Sequence, residues 1–499
     1  MPEPLRPSED LPPLRVPPET MRHVLIAAFG SVGDVLPFIR VGGELTKRGH
    51  DVTLISNPYF EPHAKNAGVA LCAVGTLEQF HALATDSGVF HWKTAFERVV
   101  PHFVHVVEAT YETTIRMYRP GQTVLFGGPG SLGARIAQEQ NRIPLAFGLV
   151  SPSRLPSRYD PPHPPRPLPP WAAPLALSRR GIGLLYLLLF AKRRLSRLWG
   201  SPPRDLPSPN PLLDEVNRVR IRAQLPVMGG LTEWPLPAQT IVCMWPDWFA
   251  APQPDWPRNT VVTGFPYEPP GRGEPASEAG RSIGAGARGP LLVFTTGSVA
   301  SQQHAFFVAA LEACRILKRP GLFVTPHADQ IPQPLPSDVT HVAHAPFAEL
   351  FARSALVVHH GGIGTIALAL AAGVPQIIRP MMGEQFDLGN RVQRLGVGRM
   401  LAADSIPPAQ LARAIESLIG SERVANACRR WQAKVDFREG LEKAADSIER
   451  LAMVPSAPPR FTPSPERTHD SSPPAVDPDE PALLPVSPVG SQSRGPTSS

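Results

Sequence analysis

The chain has 499 residues, which at roughly 150 per domain allows two or three domains and a sizeable core. A formal net charge of +6, from 49 basic and 43 acidic residues, is too mild for a dedicated nucleic-acid binder. Four widely spaced cysteines (Cys72, Cys243, Cys314, Cys428) with no C-x-x-C pair exclude a zinc knuckle or disulfide framework and fit a reducing cytoplasm.

Proline, 63 residues against a usual ~5%, marks linkers and tails. Residues 1–20 are rich in proline, carry acids and lack the cationic start and apolar stretch of an export signal, so a disordered extension is expected, with the folded part starting at Met21. From there to 245, apolar runs at His23–Phe29, Asp51–Ser56, Thr123–Phe126 and Leu145–Val150 alternate with helix-period segments, the pattern of βαβ units around a parallel sheet. The first run feeds a glycine loop, Gly30-Ser31-Val32-Gly33-Asp34, that opens a helix. Asp34 there reads either as a helix cap or as a general base facing a cleft. Gly128-Pro129-Gly130-Ser131-Leu132-Gly133 satisfies G-x-G-x-x-G, but the next strand ends Leu149-Val150-Ser151 without the acidic residue that a dinucleotide site requires, so it reads as backbone geometry.

Beyond a proline-rich stretch, Gly181–Trp199 (GIGLLYLLLFAKRRLSRLW) has about ten continuous apolar residues, short of the ~20 that span a bilayer. It reads as a core helix with a basic end or as an interfacial helix giving peripheral membrane contact. Residues 246–290 read as an interdomain linker, most plainly in the Gly/Pro/Ala/Arg-rich Pro269–Pro290. A second βαβ block spans 291–420, starting at Leu291–Thr295, whose following loop reaches Gly297 and Ser298. The expected fold class is therefore α/β, two Rossmann-like parallel-sheet domains facing a cleft. From 454 to 499 the tail cannot bury enough apolar surface to order itself, and its Asp477-Pro478-Asp479 is given no metal.

The strongest local signal is Val357-Val358-His359-His360-Gly361-Gly362-Ile363-Gly364-Thr365, a strand entering a glycine loop that opens a helix. Glycines let backbone approach a ligand, the helix start presents unpaired N–H groups at its positive end, and Thr365 and His360 add donors, a combination that suits a diphosphate. Further on, Glu384-Gln385 places a carboxylate beside an amide at the end of the following strand, which suits sugar hydroxyls.

The segments GSVGDVLPFI (Gly30–Ile39), LGARIAQE (Leu132–Glu139), PDWFAAPQPDWP (Pro246–Pro257), TGFP (Thr263–Pro266) and GGIGTIALALAAGVPQ (Gly361–Gln376) together resemble the inverting nucleotide-sugar glycosyltransferases of the GT-B fold. That group joins plant and antibiotic glycosyltransferases with sterol glucosyltransferases; within it the likeness is greatest to the rhamnosyltransferases of rhamnolipid synthesis. The resemblance implies that the first domain takes the acceptor and the second the nucleotide sugar, and that helices over 421–453 pack back on the first domain. It makes Asp34 the base, with Gly30, Ser31 and Gly33 forming the acceptor-side loop. Ser298, His360, Gly361, Gly362 and Thr365 become diphosphate ligands, Glu384 and Gln385 the donor-sugar pair, and His344 with Phe347 the nucleoside contacts. No metal or resident cofactor is implied; the expected partners are a nucleoside-diphosphate sugar and a hydrophobic or lipid-like acceptor, by resemblance a hydroxy-fatty-acid dimer receiving L-rhamnose. The pattern departs from the plant members at His344 (tryptophan there), Leu368 (a ribose-gripping glutamate), Gly364 and Leu388 (asparagines). These departures leave a second reading open, a catalytically silent homologue that binds a nucleotide sugar or partner as an auxiliary subunit; a sugar-nucleotide epimerase is a third.

Overall fold

The strands at the centre of both sheets are apolar at nearly every position, broken only by an end residue such as His23, Thr123 or Thr295, as strands covered by helices on both faces must be. In the computed structural model, which describes residues 22–90, 95–163, 210–231, 239–267, 289–297, 303–402 and 405–452, β1 (His23–Ala27), β4 (Thr123–Gly127), β5 (Leu145–Leu149) and β8 (Leu291–Thr295) are buried end to end. The 1–20 extension, Gly181–Trp199, Ser298, residues 268–288 and the 454–499 tail lie outside the described residues.

The first sheet also contains β2 (Asp51–Ser56), β3 (Ala70–Ala73), β6 (Thr240–Cys243) and β7 (Thr260–Val262), and is seven-stranded in the order β3-β2-β1-β4-β5-β6-β7, all neighbours parallel. Register is set at its centre, where Val24 lies opposite Val52 on one side and Val124 on the other. The second sheet adds β9 (Gly321–Val324), β10 (Val339–Val342), β11 (Ser354–His359), β12 (Gln376–Ile378) and β13 (Gly398–Met400) in the order β10-β9-β8-β11-β12-β13. In each sheet the order reverses beside the first strand, so a crevice opens at the carboxyl ends of β1 and β4, and of β8 and β11.

Helix α1 (Val32–Lys47) turns Val35, Phe38, Ile39, Gly42 and Leu45 inward at three- and four-residue spacing. Gly42 lets it come down on β1, since a Cβ there would lie 2.6 Å from Ile26 Cδ1. Two short helices, α2 (Glu61–Asn66) and α3 (Leu77–Thr85), follow on the same side of the chain order. Then α4 (Ala95–Met117), α5 (Leu132–Asn141) and α6 (Pro211–Arg222) pack together through Val107, Tyr111, Ile136, Val216 and Val219. Gly133 of the G-x-G-x-x-G stretch is where α5 meets α4: a Cβ would run into Val107 O and lie 2.6 Å from Tyr111 N.

Two expectations are corrected here. The first strand ends at Ala27, not Phe29, because the chain leaves the ladder to reach Gly30 at φ +133°. The linker expected over 246–290 does not begin at 246. Trp245, Phe249, Ala250 and Phe265 are buried in the first core and β7 pairs with β6, because that segment carries large apolar side chains that composition outside Pro269–Pro290 never marked as linker.

The second domain continues with α7 (His304–Leu317), α8 (Phe347–Phe351), α9 (Ile363–Ala372), α10 (Gln385–Arg394), α11 (Pro408–Ile419) and α12 (Glu422–Gln432). The chain then crosses back. Helix α13 (Phe437–Ala452) buries Leu441, Ala444, Ala445, Ile448 and Leu451 against α1 and the β4, β5 and β6 strands. Gly440 permits the crossing, since a Cβ there would lie 2.6 Å from Phe265 O. Glu449, 2% exposed, anchors it by accepting from Arg48 (2.9 Å) and pairing with His50 (2.9 Å), while Arg48 also holds Asp446 at 2.6 Å.

A polar strap also joins the two sheets. Arg391 on α10, 3% exposed, donates to Asp387 and to Asp160, both at 2.8 Å; Arg394 donates to Asp160, and the His163 N–H donates to Asp387 at 3.0 Å. No described helix is long and apolar enough to cross a membrane.

Candidate active site

The loop from β1 to α1 is built by its own side chains. Ser31 caps α1, and its N–H and Oγ both donate to Oδ2 of Asp34, at 2.9 and 2.8 Å. Oδ1 takes no hydrogen bond among the described residues. The cap reading of Asp34 is therefore realised through Oδ2, which closes the helix start. Gly30 is required twice, by its positive φ and because a Cβ would sit 2.7 Å from Oδ2.

Across the cleft, β11 ends at His359 and the chain turns through Gly361 (φ +95°) into α9. His359 is fully buried. The Gly361 N–H donates to its Nδ1 at 3.2 Å, so that nitrogen is unprotonated and the ring proton lies on Nε2, which donates to Gln376 Oε1 at 3.1 Å. Burial pushes His359 down to about 3, and the neighbouring His360 acts in the same direction. The His360 ring lies between two glycines: a Cβ at Gly297 would be 2.8 Å from its Cε1 and one at Gly362 2.6 Å from its Nε2. Burial holds His360 down at about 4, so it is neutral near pH 7, and its Nδ1 is buried without a partner. Gly362 caps α9 with extended backbone and no side-chain bond, leaving the first-turn N–H groups of Ile363, Gly364 and Thr365 without a side-chain acceptor. Neutral imidazole, unpaired amides and the positive end of a ten-residue helix converge on one place.

Glu384 and Gln385 open α10. The Gln385 amide oxygen is already committed, accepting from the Met381 and Met382 N–H groups at 2.8 and 3.2 Å, so only its Nε2 side is left for a ligand. Glu384 Oε2 is buried without a hydrogen bond and faces Arg154 Nε at 3.4 Å. Burial raises its pKa, Arg154 opposes that, and the Asp34 carboxylate adds to the rise. Asp34 and Glu384, 350 positions apart in the chain, therefore feel each other across one cleft. His344 is exposed in the loop after β10, and Phe347, at the start of α8, stacks on Phe351 at 4.9 Å. Ser298 and the side chains of Phe90, Trp92 and Phe96 are outside the described residues. Leu368 and Leu388, at the departure positions, are core side chains, 6% and 0% exposed. Arg154, carried on the turn after β5, had no motif to announce it.

With this geometry in hand, comparisons with known proteins converge. Residues 24–152 match the glycosyltransferase family 28 N-terminal domain, and residues 324–436 match the C-terminal domain of erythromycin biosynthesis protein CIII-like proteins. The sterol 3-beta-glucosyltransferase of Penicillium rubens is 23% identical over 445 residues, 87% of this chain and 31% of that protein; the Aspergillus clavatus enzyme of the same name is 37% identical over 117 residues, 23% of this chain and 8% of that protein. The chain thus spans about a third or less of the length of these curated relatives. Among solved structures, the kitacinnamycin glycotransferase aligns with a TM-score of 0.62 at 19% identity, covering 87% of this chain and 99% of that one. SnogD from Streptomyces nogalater aligns at 0.55 and 17%, covering 87% and 99%. The spinosyn rhamnosyltransferase SpnG, complexed with thymidine diphosphate, aligns at 0.53 and 18%, covering 83% and 96%.

Proposed function

We propose that this chain, which has the GT-B fold and matches a family 28 N-terminal domain and an EryCIII-like C-terminal domain, transfers a hexose or deoxyhexose from a nucleoside-diphosphate sugar to a hydroxyl of a lipophilic acceptor, with inversion. The observation that carries the reading is the pairing across one cleft of Asp34, an aspartate with one uncommitted oxygen, with Glu384 and the His360 loop. In this reading Asp34 Oδ1 takes the proton of the acceptor hydroxyl as it attacks the anomeric carbon. The nucleoside diphosphate departs toward the α9 amides and His360, which neutralise its developing charge. Glu384 holds hydroxyls of the sugar so that the attacking and departing groups lie on opposite faces.

A lipophilic acceptor is supported by the sterol glucosyltransferases among the relatives and by partly buried Phe29 and Phe103 beside Gly30 and Gly130. A deoxythymidine-linked donor, L-rhamnose included, is supported by Leu368, a core side chain where the plant members grip both ribose hydroxyls, and by the thymidine diphosphate bound to SpnG and VinC. The committed oxygen of Gln385 favours a second reading, a silent homologue that binds a nucleotide sugar without turning it over.

The test is thermal stabilisation of the purified chain by UDP, dTDP and GDP, with NAD as the control, followed by transfer assays with the donors so chosen. A dTDP-selective shift with transfer to a hydroxylated lipid is the expected outcome. Nucleotide binding without transfer to any hydroxylated acceptor selects the silent homologue. No shift with any nucleoside diphosphate removes the reading.

A further inference from the structure

Glu384 lies in the donor half of the cleft, yet the cation facing it comes from the other half. Arg154 ends the short turn Pro152–Arg154 directly after β5, at the carboxyl edge of the first sheet. The turn itself is fixed: Ser151 and Pro152 are buried, and the Arg154 N–H closes on Ser151 O at 3.1 Å. The side chain is half exposed and reaches to 3.4 Å from Glu384 Oε2, ion-pair distance but outside good hydrogen-bond geometry. That oxygen is otherwise buried with nothing donating to it, so the carboxylate is charge-balanced by Arg154 while still able to accept from a ligand hydroxyl.

We propose that Arg154 is a positioning residue of the donor site, contributed by the acceptor-side domain, pairing with the Glu384 carboxylate and holding it aimed at a hydroxyl of the sugar only while the two sheets are closed on one another. The proposal rests on the glycosyltransferase reading above. The other charged groups facing Glu384 are Asp34 on α1 and Asp387 on its own helix, and both disfavour its ionised form, as does burial. Arg154 opposes all three, although the net effect still leaves the Glu384 pKa above its ordinary value. A donor sugar would then be gripped only in a closed cleft, where Asp34 is also within electrostatic reach, which couples donor engagement to the presence of the base.

The test uses the full chain in five forms: native, Arg154→Ala, Arg154→Lys, Glu384→Gln, and Glu384→Gln combined with Arg154→Ala. Affinities for UDP-glucose and dTDP-glucose are measured beside those for bare UDP and dTDP by titration calorimetry. We expect Arg154→Ala to bind the bare diphosphate within about twofold of native but the matching nucleotide sugar about tenfold more weakly, with Arg154→Lys restoring most of the loss. The acid limb of the kcat/KM profile should move up by about one pH unit in Arg154→Ala, as loss of a cation 3.4 Å from a carboxylate requires. In the Glu384→Gln background, Arg154→Ala should add nothing further. Additive losses in the double variant, or an Arg154→Ala protein equal to native for the nucleotide sugar across pH, would overturn the proposal alone. Failure of the native chain to bind any of the four compounds would overturn the functional reading and this proposal with it.

Discussion

One carboxylate oxygen of Asp34 is structural and the other is not, and that division sets what substitution does. Asparagine keeps an oxygen to accept from Ser31 but cannot accept a proton, so Asp34→Asn should fold normally, bind donor nucleotide as before and lose on the order of 10²-fold or more in turnover, read from initial rates beside a binding isotherm. Gly30→Ala should do worse to the structure, because the new Cβ falls on Oδ2 at a strained φ; a lower melting temperature together with lost turnover is expected. His359 gives a pH signature. Its ordinary value near 6.5 applies when unfolded, and burial takes it to about 3 in the fold, so between those values the unfolded chain binds a proton that the folded chain refuses. Stability is therefore complete above about pH 6.5 and falls as pH drops toward about 3. Unfolding free energies from urea denaturation at pH 7, 6, 5 and 4 should decline less steeply in His359→Gln, by up to about 1.4 kcal/mol per pH unit below about pH 6 for the one proton removed. The glycine-loop residues were legible in the sequence because their constraint is local: a tight turn needs glycine wherever it occurs. Arg154 was not, because its meaning comes from Glu384, 230 positions away.

Among elements, the legible ones were the mainly apolar strands β1, β2, β4, β5, β8 and β11, each at least five residues. The three- and four-residue strands β3, β6, β7, β9, β10, β12 and β13 carry too few residues for any period to show, and they exist because a neighbour offers them a ladder. The difference between sequence and structure at the linker has the same origin: nothing local distinguishes β7, Thr-Val-Val, from a loop, and only pairing with β6 makes it a strand. Helix α13 is amphipathic in its sequence, but the surface it covers lies at the other end of the chain. Its polar anchor should matter accordingly. Glu449→Ala leaves His50, 6% exposed, and Arg48 facing a vacated partner position, and should lower unfolding free energy by about 2–3 kcal/mol, since Arg48 keeps Asp446 and Glu44; chemical denaturation measures it.

At the scale of the molecule, the strap of Asp160, Arg391, Arg394 and Asp387 ties the second domain to the segment that follows β5. Asp160→Asn removes the charge that Arg391 and Arg394 share and should let the cleft open, giving a larger radius of gyration by small-angle scattering and a raised KM for donor with kcat less affected. Two sheets facing a cleft could be read from two alternating blocks of strand and helix; their closure could not, because it depends on Asp160 meeting arginines 231 and 234 positions further on. The return of α13 to the first domain carries a consequence for biogenesis. Arg48 and Glu449 are 401 positions apart, so at 5–20 residues per second a ribosome needs roughly 20–80 s after making α1 before it delivers the helix that covers it. During that interval the nascent first domain exposes the apolar surface that will receive Leu441, Ile448 and Leu451, and chains stalled before residue 437 should be protease-sensitive and chaperone-bound where full-length chains released from the ribosome are neither.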